Sequence, residues 1–395
     1  MKVCKGWALG LVLLLAACSQ TPTVSVTRED LFSLEIGRFE DNLALYNVED
    51  VFGIRRTALT MRDGLFYIAD SNGQKVVRYN SYGDLLFMIY NEETNPIPLS
   101  LGPMPEGRTV TRWAFTYPLR EPDKIVVDSQ KRIYVEDLLP EEEWGVDIET
   151  GVFLTHVILF FDNEGRFVRQ LGQEGIGGRP FPPVEGIYTS LDDSFVVVCR
   201  VLGSWYVYWF DAEGVFHNLI KLSEERIPIP EDRETAFGSI DMIAAAPDAQ
   251  RLYIKVNYYR DSYDQSTMIR TGTEPDSSVI WLMRGTDGRY EEELLEVPFY
   301  EANGKTSSVK IFYSMLGVIR NGRVFLYAPV ENGYSLLVLG EQGRWQGFIQ
   351  VSPDELEFNT FALSADGILS AILAGTWDVK LVWWRTDKFM GGTSS

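Results

Sequence analysis

The sequence predicts an all-β protein: a six-bladed β-propeller of four-stranded antiparallel blades, with the last blade closed by the N-terminal strand. Three observations predict it. A short apolar strand recurs six times, a glycine-ended turn recurs five times, and the sixth copy lacks an outer strand that the chain's beginning can supply.

The recurrent strand reads "GLFYIAD" (64–70), "KRIYVED" (131–137), "DSFVVVCR" (193–200), "QRLYIKV" (250–256), "GRVFLYAP" (322–329) and "GILSAIL" (367–373). Most copies follow a short polar turn such as Asp63-Gly64 or Asn321-Gly322, with another strand-like run before it. Aromatic and β-branched runs between Gly, Asp and Asn breaks argue for strands, and no long stretch keeps a 3.6-residue period. The turn is carried by Gly83, Gly165, Gly214, Gly288 and Gly343, where a tight link between two strands needs positive φ. A single unit of this kind leaves two unpaired edges and cannot bury its own apolar faces. "DVKLVWWRTDKFM" (378–390) has the third strand of its copy but no such glycine and little chain beyond. "LFSLEIGRF" (31–39) precedes the first copy and is expected to pair near 379–385, closing the ring and removing both edges. Two unrelated β-domains would not produce six matching units. The aromatic runs "VLGSWYVYWFD" (201–211) and "LVWWR" (381–385) are expected to send about half of their rings between blades.

The N-terminus has the three parts of an export signal: Lys2 and Lys5, the apolar run 6–15, and Ala16-Ala17. That run is about half of the roughly 20 residues that cross a bilayer, which disfavours an uncleaved anchor. The expected organisation is a signal peptide over 1–17, a tether over 18–28 and the propeller over 29–390. Without residues 1–17 the chain carries 34 basic and 56 acidic side chains, a net charge of 34 − 56 = −22. Such a surface repels nucleic acid, so no nucleic-acid partner is expected. With 45% apolar and 13% aromatic residues, the composition is that of a folded chain. Beyond position 18 only Cys199 remains, inside "SFVVVCRV", where a buried structural thiol is expected.

The extra length is unevenly spent. Lettering the strands of a blade A to D, the A–B and C–D turns share one face of the disc and are short. The B–C loops and D–A connections share the other and hold the insertions 91–122, 138–151, 222–239 and 257–278. Long loops inside a compact fold are commonly functional. These carry Trp113, Tyr117, Trp144, Tyr258, Tyr259 and Tyr263 beside Arg108, Arg112, Arg260 and Arg270. Aromatic and arginine side chains anchor interfaces. The expected partner is therefore a protein or extended envelope ligand, contacting Trp113, Trp144, Tyr258, Tyr259, Arg260 and Tyr263; the competing reading is that these rings pack as lids.

No catalytic signature is present. His156 and His217 have no second histidine or cysteine nearby in sequence, so neither zinc nor a Ser-His-Asp or Cys-His arrangement is supported. No phosphate loop or dinucleotide fingerprint occurs, and no cofactor or metal is expected. "EEEW" (141–144) reads as a solvated charge run.

Three resemblances add to this. "LAAC" (15–18) resembles the lipobox of bacterial lipoproteins, which implies lipid on Cys18, membrane attachment and exposure on the periplasmic side or the cell surface; Ser19 favours the outer membrane. "LFYIADSNGQKVVRYNSYGDLL" (65–86) resembles an NHL-type repeat, whose rings are six-bladed. The whole chain is loosely similar to uncharacterised spirochaete-type propeller lipoproteins. The alternative function is a metal-dependent, lactonase-like hydrolase of the six-bladed type, with Asp70, Asn72, Asn257 and Asn332 as oxygen ligands.

Overall fold

A strand that is apolar on both sides needs a neighbour on each face. The central strands Leu65–Asp70, Ile133–Leu138, Phe195–Val201 and Leu369–Ala374 are buried nearly end to end, and they obtain two neighbours by radiating around a common axis. The computed structural model describes residues 23–46, 56–102, 112–230, 236–303, 308–340 and 343–390. Cys18, where lipidation is expected, and Arg108 lie outside them.

Six antiparallel sheets form the ring. Blade 1 runs Thr57–Arg62, Leu65–Asp70, Lys75–Asn80 and Leu85–Tyr90 as strands A to D, and blade 2 runs Ile125–Val127, Ile133–Leu138, His156–Phe161 and Phe167–Gly172. Blade 3 runs Val184–Thr189, Phe195–Val201, Ser204–Phe210 and Phe216–Ser223. Blade 4 runs Phe237–Ala245, Arg251–Tyr263, Arg270–Arg284 and Tyr290–Val297, and blade 5 runs Ser314–Val318, Val324–Val330, Gly333–Gly340 and Gly343–Gln350. Blade 6 has Phe358–Leu363, Leu369–Ala374 and Asp378–Trp384, and its fourth strand is Arg28–Glu35 from the other end of the chain. The ring closes as the sequence predicts, three residues earlier in the chain than expected.

The latch is ionic as well as backbone. Arg28 donates to both Glu355 oxygens at 2.5 and 2.8 Å, and Lys380 Nζ donates to the same carboxylate at 2.9 Å. Upstream of it, Thr23–Ser25 pairs in parallel with the outer strand of blade 5, so the chain expected as a tether over 18–28 is already in a sheet at Thr23. Blade 1 gains a parallel fifth strand in the same way from Trp113–Thr116.

The core is a ring of six clusters, one in each gap between neighbouring blades. Trp205, Val207 and Trp209 of blade 3 face blade 4, while Tyr208 and Phe210 face blade 2. Both alternations are therefore buried, which corrects the expectation that half of these rings would be. The five turn glycines have φ of 85°, 89°, 79°, 67° and 107°, as a tight C–D link requires.

Candidate functional site

The C–D turns of blades 1 to 3 are held locally, whereas several of the insertions are held by side chains from elsewhere in the chain. Every C–D turn described in full in blades 1 to 3 is closed by its own first residue. Asn80 Oδ1 accepts from Tyr82 N and Asp84 N, Asp162 Oδ1 from Glu164 N and Arg166 N, and Asp211 Oδ1 from Glu213 N and Val215 N, all at 2.8–3.0 Å. The other face is built by insertions, and buried side chains at the ends of the central strands reach out to hold them.

In blade 1 the residues that carry the NHL-type resemblance form a clamp. Asp70 accepts from Ala44 N and Gly73 N at 2.9 Å, Asn72 Nδ2 donates to Leu45 O at 3.1 Å, and Lys75 Nζ donates to Phe39 O at 2.6 Å. Glycine is needed at 73, since a Cβ there would lie 2.3 Å from Asp70 Oδ2. Together they fasten the chain that leaves the closing strand. Burial raises the Asp70 carboxyl and lowers the Lys75 ammonium, each opposed by the other's charge.

In blade 2 Asp137 accepts from Arg120 N and Glu121 N, holding the end of the 91–122 connection. Glu136 accepts from Lys124 N at 3.3 Å and lies 3.6 Å from His156 Nε2. Burial pushes Glu136 up to about 8 and Asp137 up to about 7, and burial with the nearby Lys124 charge lowers His156 to about 4. In blade 4 the fully buried Lys255 donates to Asn257 Oδ1 at 2.7 Å and Asp241 Oδ2 at 3.0 Å.

Two of the expected hydrolase ligands, Asp70 and Asn257, have their oxygens engaged by such contacts. The oxygens of Asp70 accept from Ala44 and Gly73, and Asn257 Oδ1 accepts from Lys255 and Ser278. Asn72 donates its Nδ2 to Leu45 O and leaves Oδ1 buried without a partner among the described residues, and Asn332 sits exposed on the two-residue B–C turn of blade 5. The four come from blades 1, 4 and 5. Among the described residues no three His, Cys, Asp or Glu side chains are grouped to share a metal. Cys199 is buried, and burial pushes its thiol up.

The expected partner-binding residues divide. Trp113 stacks on Phe87 in the gap between blades 1 and 2, with its Nε1 donating to Glu164 O, and it is a core residue. Tyr258 is also core: its hydroxyl donates to Pro228 O at 2.5 Å and accepts from Trp281 Nε1 at 2.8 Å. Neither offers a ring to a partner. Tyr259 is half-buried between Phe237 and Phe312 at 5.9 and 5.5 Å. Arg260 is exposed beside Glu274 and Asp276, Tyr263 stands exposed near the hairpin tip, and Trp144 is partly exposed with Nε1 on Leu139 O at 2.8 Å. The 257–278 insertion is a long hairpin rather than a loop, paired out to Tyr263 and Arg270.

Sequence reasoning missed the side chains that the face displays most openly. The six most exposed large apolar residues described are Ile97, Leu99, Ile148, Leu202, Trp377 and Tyr82, from 81% to 99% accessible. Five of them sit on B–C or D–A loops, and only Tyr82 is on the opposite face. Glu40 accepts from Leu99 N at 2.6 Å and Ser100 N at 2.9 Å, fixing the loop that presents Ile97 and Leu99. Trp377 lies between a turn, Gly375-Thr376, and a strand start, a position where a large ring has nothing to pack on.

A cavity of about 220 Å³ lies on the ring's axis at the trimmed end, where the A strands of all six blades end. Its arginines are engaged, Arg62 with Val127 O at 3.2 Å and Arg320 with Asp366 at 2.9 Å.

No protein-family model matches the chain, and no curated protein matches it in sequence. Solved structures do. The chain is similar to the β-propeller domain of the Trilobed protease of Pyrococcus furiosus (11% identity, 83% of this chain and 92% of that one, TM-score 0.40). It is similar to a gluconolactonase of Xanthomonas campestris (10%, 92% and 97%, 0.39) and to the WD40 domain of Toxoplasma gondii coronin (7%, 93% and 91%, 0.43). Likeness at this level says nothing of activity, and the blade count rests on the strand pairing itself.

Proposed function

We propose that this protein is a membrane-anchored lipoprotein whose propeller is a binding module, holding a protein or extended envelope ligand on the face that carries the insertions. One observation carries the reading: five of the six most exposed large apolar side chains stand on that face. Exposed apolar side chains gathered on one face mark an interaction site. The lipid on Cys18 supplies the anchor. Four residues lie between Cys18 and Thr23, the first paired residue described, a span of five Cα steps or at most about 17 Å, which keeps the ring close to the bilayer.

The blade 4 hairpin tests the binding half. Replacing residues 261–273 with an Asn-Gly turn keeps the pairing up to Arg260 and Glu274 and leaves Tyr258 and Tyr259 in place. The shortened protein should melt as the parent does and lose its partner in pull-downs from envelope extract. Undiminished capture by the shortened protein, with loss of capture on changing the turns at Gly165 and Gly214, would place binding on the wrong face. Metabolic acyl labelling that persisted in Cys18→Ala would refute the anchor.

A further inference from the structure

Blades diverge as they leave the axis, so the gap between two of them widens outward and must be filled or left open. Between blades 2 and 3 the inner part is filled, with Phe181 packed edge-on to Tyr208 at 5.2 Å. The outer part is a cleft of about 320 Å³, within the size range of small-ligand sites. Leu154, Val201, Leu219 and the Tyr206 ring are among its apolar lining. One wall is rigid: Tyr208 Oη donates to Gln173 Oε1 at 3.0 Å, and Gln173 Nε2 donates to Pro180 O at 2.7 Å. The roof is the turn of the blade 2 insertion, where Asp147 accepts from Glu149 N, Thr150 N and Thr150 Oγ1 at 2.8–3.1 Å.

The rim carries both signs of charge. Lys221 lies 5.4 Å from the Tyr206 ring and has no acidic partner among the described residues, which is notable in so acidic a chain. Arg179 stands on the same rim, held by Glu174 at 2.7 Å. Glu149, two residues from Asp147, lines the cleft as well. Cations beside apolar side chains select a carboxylate attached to an apolar body, and an acid in the same cleft selects an amine.

We propose that this cleft binds a zwitterion with a bulky apolar side chain, a free amino acid or short peptide, with its carboxylate at Lys221 and Arg179, its ammonium toward Glu149, and its side chain against Tyr206 and Leu219. Ile148 borders both this cleft and the apolar loop tips, so the two readings are told apart by probe, the titration using a dipeptide and the pull-down envelope extract.

Isothermal titration of the intact protein at low salt tests it with the dipeptide Leu-Phe, its C-terminal amide and its N-acetyl form. The free dipeptide should bind, the amide about tenfold more weakly, and the N-acetyl form several-fold more weakly. Lys221 is exposed, so Lys221→Met should leave the melting temperature unchanged. It should weaken the free dipeptide about tenfold while leaving the amide unaffected. Leu219→Trp should fill the cleft and abolish binding of all three. Absence of heat from every probe, equal affinity for acid and amide, or an acid preference undiminished in Lys221→Met would each overturn the proposal.

Discussion

The C–D turns of blades 1 to 3 and the ends of the central strands in blades 1 and 2 use acidic side chains in opposite ways. The A–B turns stand between them, with Asp193 of blade 3 accepting from Ser129 N of blade 2 at 2.7 Å. On the trimmed face Asp162 and Asp211 accept from amides two and four residues on, so each turn is self-sufficient and its carboxylate stays near water. On the elaborated face Asp70, Glu136, Asp137 and Glu355 are buried and serve segments far away in the chain. A turn that closes itself can be copied from blade to blade. A loop held by a buried charge belongs to one blade only, and that is how one repeated frame acquires a face unlike any other. The cost is desolvation, which makes the elaborated face the more sensitive to mutation and pH.

The largest effect is expected at the blade 1 clamp. Asp70→Ala leaves Lys75 buried without its countercharge and frees the 36–46 segment, and breaking a buried pair from one side costs about 3–5 kcal/mol. Urea unfolding should show it as a large fall in midpoint, and Asp70→Asn with Lys75→Met should recover part. A loss no greater than that of a surface turn would erase the contrast between the faces.

Next comes the latch. Glu355→Gln breaks the contacts from Arg28 and Lys380 and should cost about 3 kcal/mol, with the closing strand the first to exchange its amides. Hydrogen bonds from Arg28, with burial opposing and Lys380 assisting, hold Glu355 down to about 2. A depressed carboxylate stabilises above its ordinary range, so the latch should hold at pH 5 and fail as pH falls toward 2. Glu355→Gln should remove that part of the acid sensitivity.

A smaller effect of opposite sign comes from Glu136. With its carboxyl raised to about 8, the folded protein holds a proton that the unfolded chain has released. Stability should therefore fall as pH rises from about 6.5, above the titration of His156, to about 8. Glu136→Gln should flatten that decline in melting temperature; a decline unchanged in the variant would mean that Glu136 is not its source. The smallest effect is on the trimmed face, where Asp211→Ala should cost only about 1 kcal/mol.

Much of the frame was legible because it repeats. Six central strands, five glycine turns and the strand missing from the last copy are local patterns of period two, and they led to the ring and its closure. The fifth strands Trp113–Thr116 and Thr23–Ser25 were not legible, since each is short and its pairing depends on what the fold brings beside it. The 257–278 hairpin was read as a loop because its outer half is polar, and its cross-strand partners Arg260 and Glu274 show only once the register is known. Trp113 and Tyr258 misled for a related reason. An aromatic in a polar stretch looks displayed, whereas both rings turn into a gap between blades that the sequence does not draw. Ile148 and Leu202, exposed apolar residues at loop tips, look in sequence like any core residue.

The central claim is that the elaborated face binds, and its displayed apolar side chains test that most directly. Ile97, Leu99, Ile148, Leu202 and Trp377 can be changed together to serine, with Tyr82→Ser as the counterpart on the trimmed face. Being exposed, none should alter the melting temperature by much. In pull-downs from envelope extract the fivefold variant should lose the partner that the parent and Tyr82→Ser both retain. Retention by the fivefold variant, or loss in Tyr82→Ser alone, would contradict the account.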